Sequence, residues 1–233
     1  MKYKRILLKL SGETLSGRGG FGIDPEAVMA VAKEVKSVYL KGIEVAIVIG
    51  GGNFWRGATK NMQRGAADRI GMIATVMNAI VLNEALAEIG IPAVVQSAFV
   101  VSDFVQKFSK QKAVSFLKRK KIVIFAGGIG KPFFTTDTTA AKRASEIKAD
   151  VLLKATQVNG VYSDDPKKNK SAKRFSALSF AEAIKKNLKI MDNSAFLICG
   201  KNDIPVIVFN FHKKGNISRV LESPEIGTVI SGY

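Results

Sequence analysis

The sequence predicts an α/β fold, a three-layer α/β/α sandwich with helices on both faces of a mostly parallel central sheet. Three observations carry this. Short, continuously apolar runs alternate with longer amphipathic stretches, the pattern of parallel strands buried on both faces. The chain has 233 residues, 47% of them hydrophobic, enough for one large domain, residues 1–233, with two lobes. No fixed-period repeat and no Pro/Ser-rich linker divides it.

The elements follow in order. Ile6-Leu7-Leu8 reads as a strand. Asp24 and Pro25 open a helix as N-cap and first helical residue. Its apolar face is Val28, Val31, Ala32, Val35, Val38 and Tyr39, and Gly42 closes it. Val45 to Ile49 is a buried strand running into Gly50-Gly51-Gly52. A long helix follows, with Ile70, Ile73, Ala74, Met77 and Val81 predicted on one face, ended by Gly90 and Pro92. Ala93 to Val95 and Ile122 to Phe125 are strands, Asp137 to Ile147 a helix, and Val151 to Leu153 a strand. Asn159-Gly160 carries a hairpin-turn signal, and 163–174 is a polar surface loop. Phe180 to Lys186 and Ser194 to Gly200 read as helices, Val206 to Phe209 as a strand, and Thr228 to Ile230 as an edge strand.

Composition narrows the class. The single cysteine, Cys199, permits no internal disulfide, which fits a reducing compartment. No apolar run approaches the roughly 18 residues of a membrane span, and the apolar stretch within the first ten residues is too short for a secretory signal. The expectation is a cytoplasmic protein. The net charge is +17, which attracts anions. The basic runs 118–121 and 167–170 have no interleaved aromatics for base stacking, so the charge reads as a lysine-rich solvated surface and nucleic acid is not expected.

Ligands of open parallel sheets bind at the carboxyl ends of the strands, and four such ends carry polar clusters. Lys9-Leu10-Ser11-Gly12 follows the first strand, offering an ammonium and backbone N–H groups to phosphate. Gly50-Gly51-Gly52 follows the second, allowing close backbone approach, with Arg56 beyond it to clamp phosphate. Gly127 to Asp137 leads into a helix N-terminus, where free N–H groups favour anions. Asp137, a carboxylate beside such a site, is read as orienting a cation or a lysine. Lys154 is a further strand-end cation, and Tyr162 a base-stacking candidate. One cluster alone is equally an ordinary turn; four on one edge argue for a polyphosphate site.

Other chemistries fail on their residues. Gly130-Lys131 has Phe125 where a Walker loop needs glycine, and Pro132 where it needs Ser or Thr. Gly17 to Gly22 matches G-x-G-x-x-G but lies too far beyond its strand, and no acidic residue ends the next strand, against a dinucleotide fold. One histidine, His212, and one cysteine speak against a Ser-His-Asp triad or a Cys/His zinc site. In-line phosphoryl transfer needs neither.

Five stretches, 9–13, 50–57, 71–78, 132–137 and 160–166, resemble the amino acid kinase family and, within it, its bacterial UMP kinase (uridylate kinase) branch. The resemblance runs in order along almost the whole chain. It implies the carbamate kinase-like fold, with a lobe of about 1–150 mainly binding UMP and one of about 151–233 mainly binding ATP. It implies ATP contacts at Lys9, Leu10, Ser11, Gly12, Gly52, Arg56, Lys154, Thr156, Tyr162 and Asp165. It implies UMP contacts at Gly51, Asp68, Ile129, Gly130, Lys131, Pro132, Phe133, Phe134, Thr135 and Thr136. Lys9, Asp137 and Asp192 would be catalytic, with Mg²⁺ accompanying ATP. Gly17, Arg18, Gly19, Gly20, Phe21 and Gly22 match the stretch associated with GTP activation. UTP inhibition and a homohexamer are likewise implied. Many bacterial relatives have Thr and Asn where this chain has Ile129 and Lys131, so base recognition here is expected to rest on backbone groups. Two rival readings are a kinase of another acid or phosphate, such as carbamate, and a nucleic-acid-binding protein motivated by the charge.

Overall fold

The computed structural model describes residues 2–55, 62–188 and 190–232. Among these, nine strands form one sheet: β1 (Arg5–Leu10), β2 (Glu44–Ile49), β3 (Ala93–Ser97), β4 (Gln106–Lys107), β5 (Ile122–Ala126), β6 (Val151–Thr156), β7 (Ala177–Leu178), β8 (Val206–Asn210) and β9 (Thr228–Ile230). Their order is β4-β3-β5-β2-β1-β6-β8-β9-β7, and only β8 and β9 pair antiparallel. The α/β expectation holds.

Strand alternation divides the core into two layers. Ile6, Leu8, Leu10, Val45, Ile47 and Ile49 face α1 (Pro25–Tyr39), α2 (Arg64–Glu88) and α7 (Asn216–Glu222). Leu7, Ala46, Val48, Phe125, Leu152 and Val206 face α3 (Lys110–Lys118), α4 (Thr136–Ile147), α5 (Phe180–Lys185) and α6 (Asn193–Lys201). Asp24 caps α1 by accepting from the N–H groups of Glu26 and Ala27. Gly42 takes φ +79°, two residues past the cap residue Leu40.

Three expectations are corrected. The face predicted for α2 points mostly outward: Ile73 is 55% exposed and Met77 40%, and of that face only Ala74 is buried, alongside Ala67, Ala79, Leu82 and Leu86 from outside it. The helix is apolar all round, so periodicity does not choose its buried side, and small residues take the crowded one. The same helix is long and apolar enough, by composition, to cross a membrane, contrary to the reading of the apolar runs. Here it lies on the sheet, with the Asn78 side chain donating to Gly50 O at 2.7 Å. Finally, Asn159-Gly160 makes no tight hairpin. Gly160 packs against β9, where a Cβ would sit 2.5 Å from Thr228 Oγ1. The chain reverses later, through the antiparallel pair Tyr162 and Arg174.

Candidate active site

Register builds the centre of the site. β1 and β6 pair with Lys9 opposite Lys154, so both side chains project from the same face at the carboxyl edge. That face is covered by α4, whose first turn carries Asp137. Lys9 Nζ lies 3.0 Å from Asp137 Oδ1, and Lys154 Nζ donates to Asp137 Oδ2 at 2.6 Å. Lys154 also donates to Ile190 O. Two ammonium groups thus share one carboxylate in a mostly buried setting.

The electrostatics follow. Burial alone pushes the Asp137 carboxyl upward, but Lys9 and Lys154 outweigh it and hold the group below its ordinary 3.8. Burial depresses Lys154, with Lys9 adding to the depression and Asp137 opposing it. Burial, backed by Asp137 and Asp192, pushes the Cys199 thiol up to about 12, so this cysteine is no nucleophile near neutrality.

The N-terminus of α4 is stitched in place. Thr135 caps it, accepting from the N–H groups of Asp137 and Thr138 at 3.1 Å each. Asp192 caps α6 by accepting from Ala195 N–H at 2.9 Å, and also accepts from the Thr138 hydroxyl at 2.8 Å and from the Thr135 hydroxyl. Asp192, expected at the reacting group, has both oxygens engaged in joining α4 to α6.

Two cavities flank the Lys9–Asp137–Lys154 bridge. One, of about 300 Å³, is lined by Gly51, Gly52, Trp55, Asp68, Phe134 and Thr136, with Gly71, Met72, Thr75 and Thr139 completing the wall. Its glycine loop is tightly held. A Cβ on Gly51 would lie 2.6 Å from Gly71 O, and one on Gly12 2.4 Å from Asn53 Oδ1. The other, of about 490 Å³, is lined by Lys9, Ser11, Glu13, Thr14, Lys154, Thr156, Gln157 and His212. Both lysines line the larger cavity, and the smaller one approaches the bridge at Thr136, the residue before Asp137.

The expected contacts divide. Gly51, Asp68, Phe134, Thr135 and Thr136 line the smaller cavity; Ile129, Gly130, Lys131, Pro132 and Phe133 are not among its lining residues. The Phe133 N–H donates to Asp68 Oδ2 at 2.7 Å, tying their loop to α2. Gly52, expected on the ATP side, lines the smaller cavity instead. The Leu10 side chain is fully buried on the opposite face of the sheet, because it alternates with Lys9, which leaves its backbone for any contact with ATP. Tyr162 and Asp165 do not line the larger cavity. The Asp165 carboxylate instead accepts from the N–H of Lys167. Arg56 lies outside the described residues. The 17–22 stretch is joined to the glycine loop, since Gly22 N–H donates to Asn53 O and Asn53 Nδ2 to Gly22 O.

Sequence reasoning gave no role to Trp55, Gly71, Met72, Thr75 and Thr139, nor to Glu13, Thr14, Gln157 and His212. A signal existed for some: Asp68, Gly71, Met72 and Thr75 recur at helical three- and four-residue spacing. His212 and Gln157 follow strands β8 and β6, where strand-end reasoning points.

Comparison with known proteins agrees with this geometry. The family model described as "Amino acid kinase family" matches residues 4–210. The chain is 48% identical over 236 residues to the chloroplastic uridylate kinase PUMPKIN of Arabidopsis thaliana, covering all of this chain and 70% of that protein. The UMP kinase structure from Bacillus anthracis superposes with TM-score 0.95 at 36% identity, covering 98% of this chain and 96% of that one. That from Ureaplasma parvum gives 0.93 at 35%, covering 99% and 100%. A glycine loop, two strand-end lysines and a helix-borne aspartate in one sheet edge, together with these matches, place the chain in the amino acid kinase family.

Proposed function

We propose that the chain transfers the γ-phosphoryl group of ATP to the phosphate of UMP, giving UDP and ADP reversibly. The observation that carries this is the buried Lys9–Asp137–Lys154 bridge standing between two cavities. UMP occupies the smaller cavity, with its phosphate toward Thr136 and the glycine loop; the ATP phosphates approach Lys9, Ser11 and Lys154 from the larger one. The smaller cavity draws only on residues before 150, and the larger also uses β6 and the loop after β8.

The residues act by position and charge. Charge on a transferring phosphoryl spreads over its peripheral oxygens, and two fixed ammonium groups stabilise it without reorganisation. Asp137 aims both lysines and balances their charge. Transfer is direct and in line, with no covalent enzyme intermediate.

Mg²⁺ accompanies the ATP. Among the described residues no cluster of three or more ligating side chains exists. That suits an ion carried by nucleotide phosphates and touched by one or two carboxylates. Glu13 lines the ATP cavity and Asp137 stands at its inner end, so these would hold it. When bound, the ion neutralises the β- and γ-phosphate oxygens.

The test is ADP release with ATP and Mg²⁺ across UMP, other nucleoside monophosphates, carbamate and amino acids. UMP is expected to give the highest turnover; turnover no greater than with AMP or with no acceptor overturns the reading.

A further inference from the structure

We propose that the amino edge of the sheet, opposite the active site, is a docking surface for the phosphate backbone of a nucleic-acid duplex. This does not rest on the phosphoryl-transfer reading.

The fold assembles what the linear sequence scatters. β1, β2, β5, β6 and β8 are mutually parallel, so the residues preceding them converge on one edge. Lys2 and Lys4 precede β1, the basic run 118–121 precedes β5, Lys148 precedes β6 and Lys201 precedes β8. All are exposed. Cross-links confirm the convergence: Lys4 N–H donates to Asp150 Oδ2 at 2.6 Å, and Lys120 Nζ donates to Gly42 O at 2.6 Å, just before β2. Lys2 and Lys148 share the lining of a groove of about 740 Å³ with Asn202 and Asp203.

The edge carries fewer acids than lysines: Glu44, Asp150 and Asp203, the last two in the groove with Lys2 and Lys148. Glu44 is paired with Arg5, and one Asp150 oxygen accepts the backbone N–H groups of Lys4 and Arg5. Among the described residues, none of Lys2, Lys4, Lys118, Lys121, Lys148 and Lys201 makes an ion pair.

The dimensions choose the partner. From β5 to β8 are four strand spacings, about 19 Å. A duplex carries one charge per roughly 1.7 Å of axis, so that span presents about eleven. The basic runs lack interleaved aromatics, and Phe116 lies beneath Arg119 and Lys121 at 5.2 and 5.9 Å. Backbone contact is therefore favoured over base stacking on a single strand. The edge is formed of loops and helix ends, without the exposed apolar helix face used at membrane surfaces.

The experiment is anisotropy of a labelled duplex of about 20 base pairs, titrated at salt from roughly 50 to 200 mM. Binding is expected in the micromolar range or weaker, with log affinity falling linearly in log salt. Replacing Lys2, Lys118, Lys121 and Lys201 by Gln together should weaken binding ~10-fold or more and reduce the salt slope by about four. UMP-dependent turnover should stay unchanged, and ATP with UMP should not displace the duplex. Should the quadruple variant fail to fold, Lys2→Gln and Lys201→Gln singly should each reduce the slope by about one. No binding at the lowest salt, equal binding by the variants, displacement by ATP, or binding to anionic vesicles but not to duplex would each overturn the proposal.

Discussion

The two edges of one sheet use cations in opposite ways. At the carboxyl edge Lys9 and Lys154 are mostly buried, in register, and fixed by one carboxylate. At the amino edge lysines stand in solvent, and none of Lys2, Lys4, Lys118, Lys121, Lys148 and Lys201 makes an ion pair among the described residues. A desolvated charge acts strongly on what comes near it, whereas an exposed one is screened within about 10 Å. The contrast teaches that the +17 net charge does not locate the chemistry; the degree of burial and the tie to Asp137 do.

Asp137→Asn attacks the contrast most directly. It leaves two buried ammonium groups without a counter-charge. Turnover should fall ~10²–10³-fold with a much smaller change in UMP affinity, and stability should drop by about 3–5 kcal/mol. Steady-state kinetics and urea unfolding check both; unchanged turnover removes Asp137 from the mechanism.

Lys154→Met separates function from stability at the same edge. Burial of that ammonium is unfavourable, as its depressed pKa records, and Asp137 keeps Lys9. We expect kcat to fall ~100-fold while the urea midpoint moves little. A large loss of stability would mean the lysine is structural instead.

Gly51→Ala tests how closely the loop must lie to α2. The new Cβ would meet Gly71 O at 2.6 Å and the Ala74 Cβ at 2.8 Å. Overpacking of this kind costs about 1–3 kcal/mol, and KM for UMP should rise more than KM for ATP. An equal rise in both would place the loop's role elsewhere.

The smallest effect is on acid stability. Asp137 is held below its unfolded value of 3.8, so its stabilisation is complete above that pH and is lost as pH falls through the lowered folded value. Unfolding midpoints measured downward from pH 5 should fall more steeply for the wild type than for Asp137→Asn. Parallel curves would contradict the coupling.

Much of this was legible in the sequence, for definable reasons. Continuously apolar strands, the Asp24-Pro25 start and the glycine loop are local signals, and local physics produces them. Lys9, Asp137 and Lys154 were each visible as strand-end or helix-start residues, but the bridge joining them is a consequence of strand register. The misread face of α2 shows the opposite case: a helix apolar on every side carries no periodic instruction. α3 went unnoticed because its nine residues bury only Ala113 and Leu117, too few to show a period, and β4 and β7 because two residues make no pattern. Asp192 lies near the right place, yet its capping duty belongs to tertiary structure.

The pairing of Lys9 with Lys154 has a practical corollary for preparing the protein. Strand side chains alternate, so a one-residue slip between β1 and β6 would send Lys154 to the opposite layer. A misassembled molecule of that kind would keep its helix content and much of its compactness but lose turnover. Specific activity after dilution from denaturant therefore counts correctly threaded molecules, where circular dichroism counts merely collapsed ones.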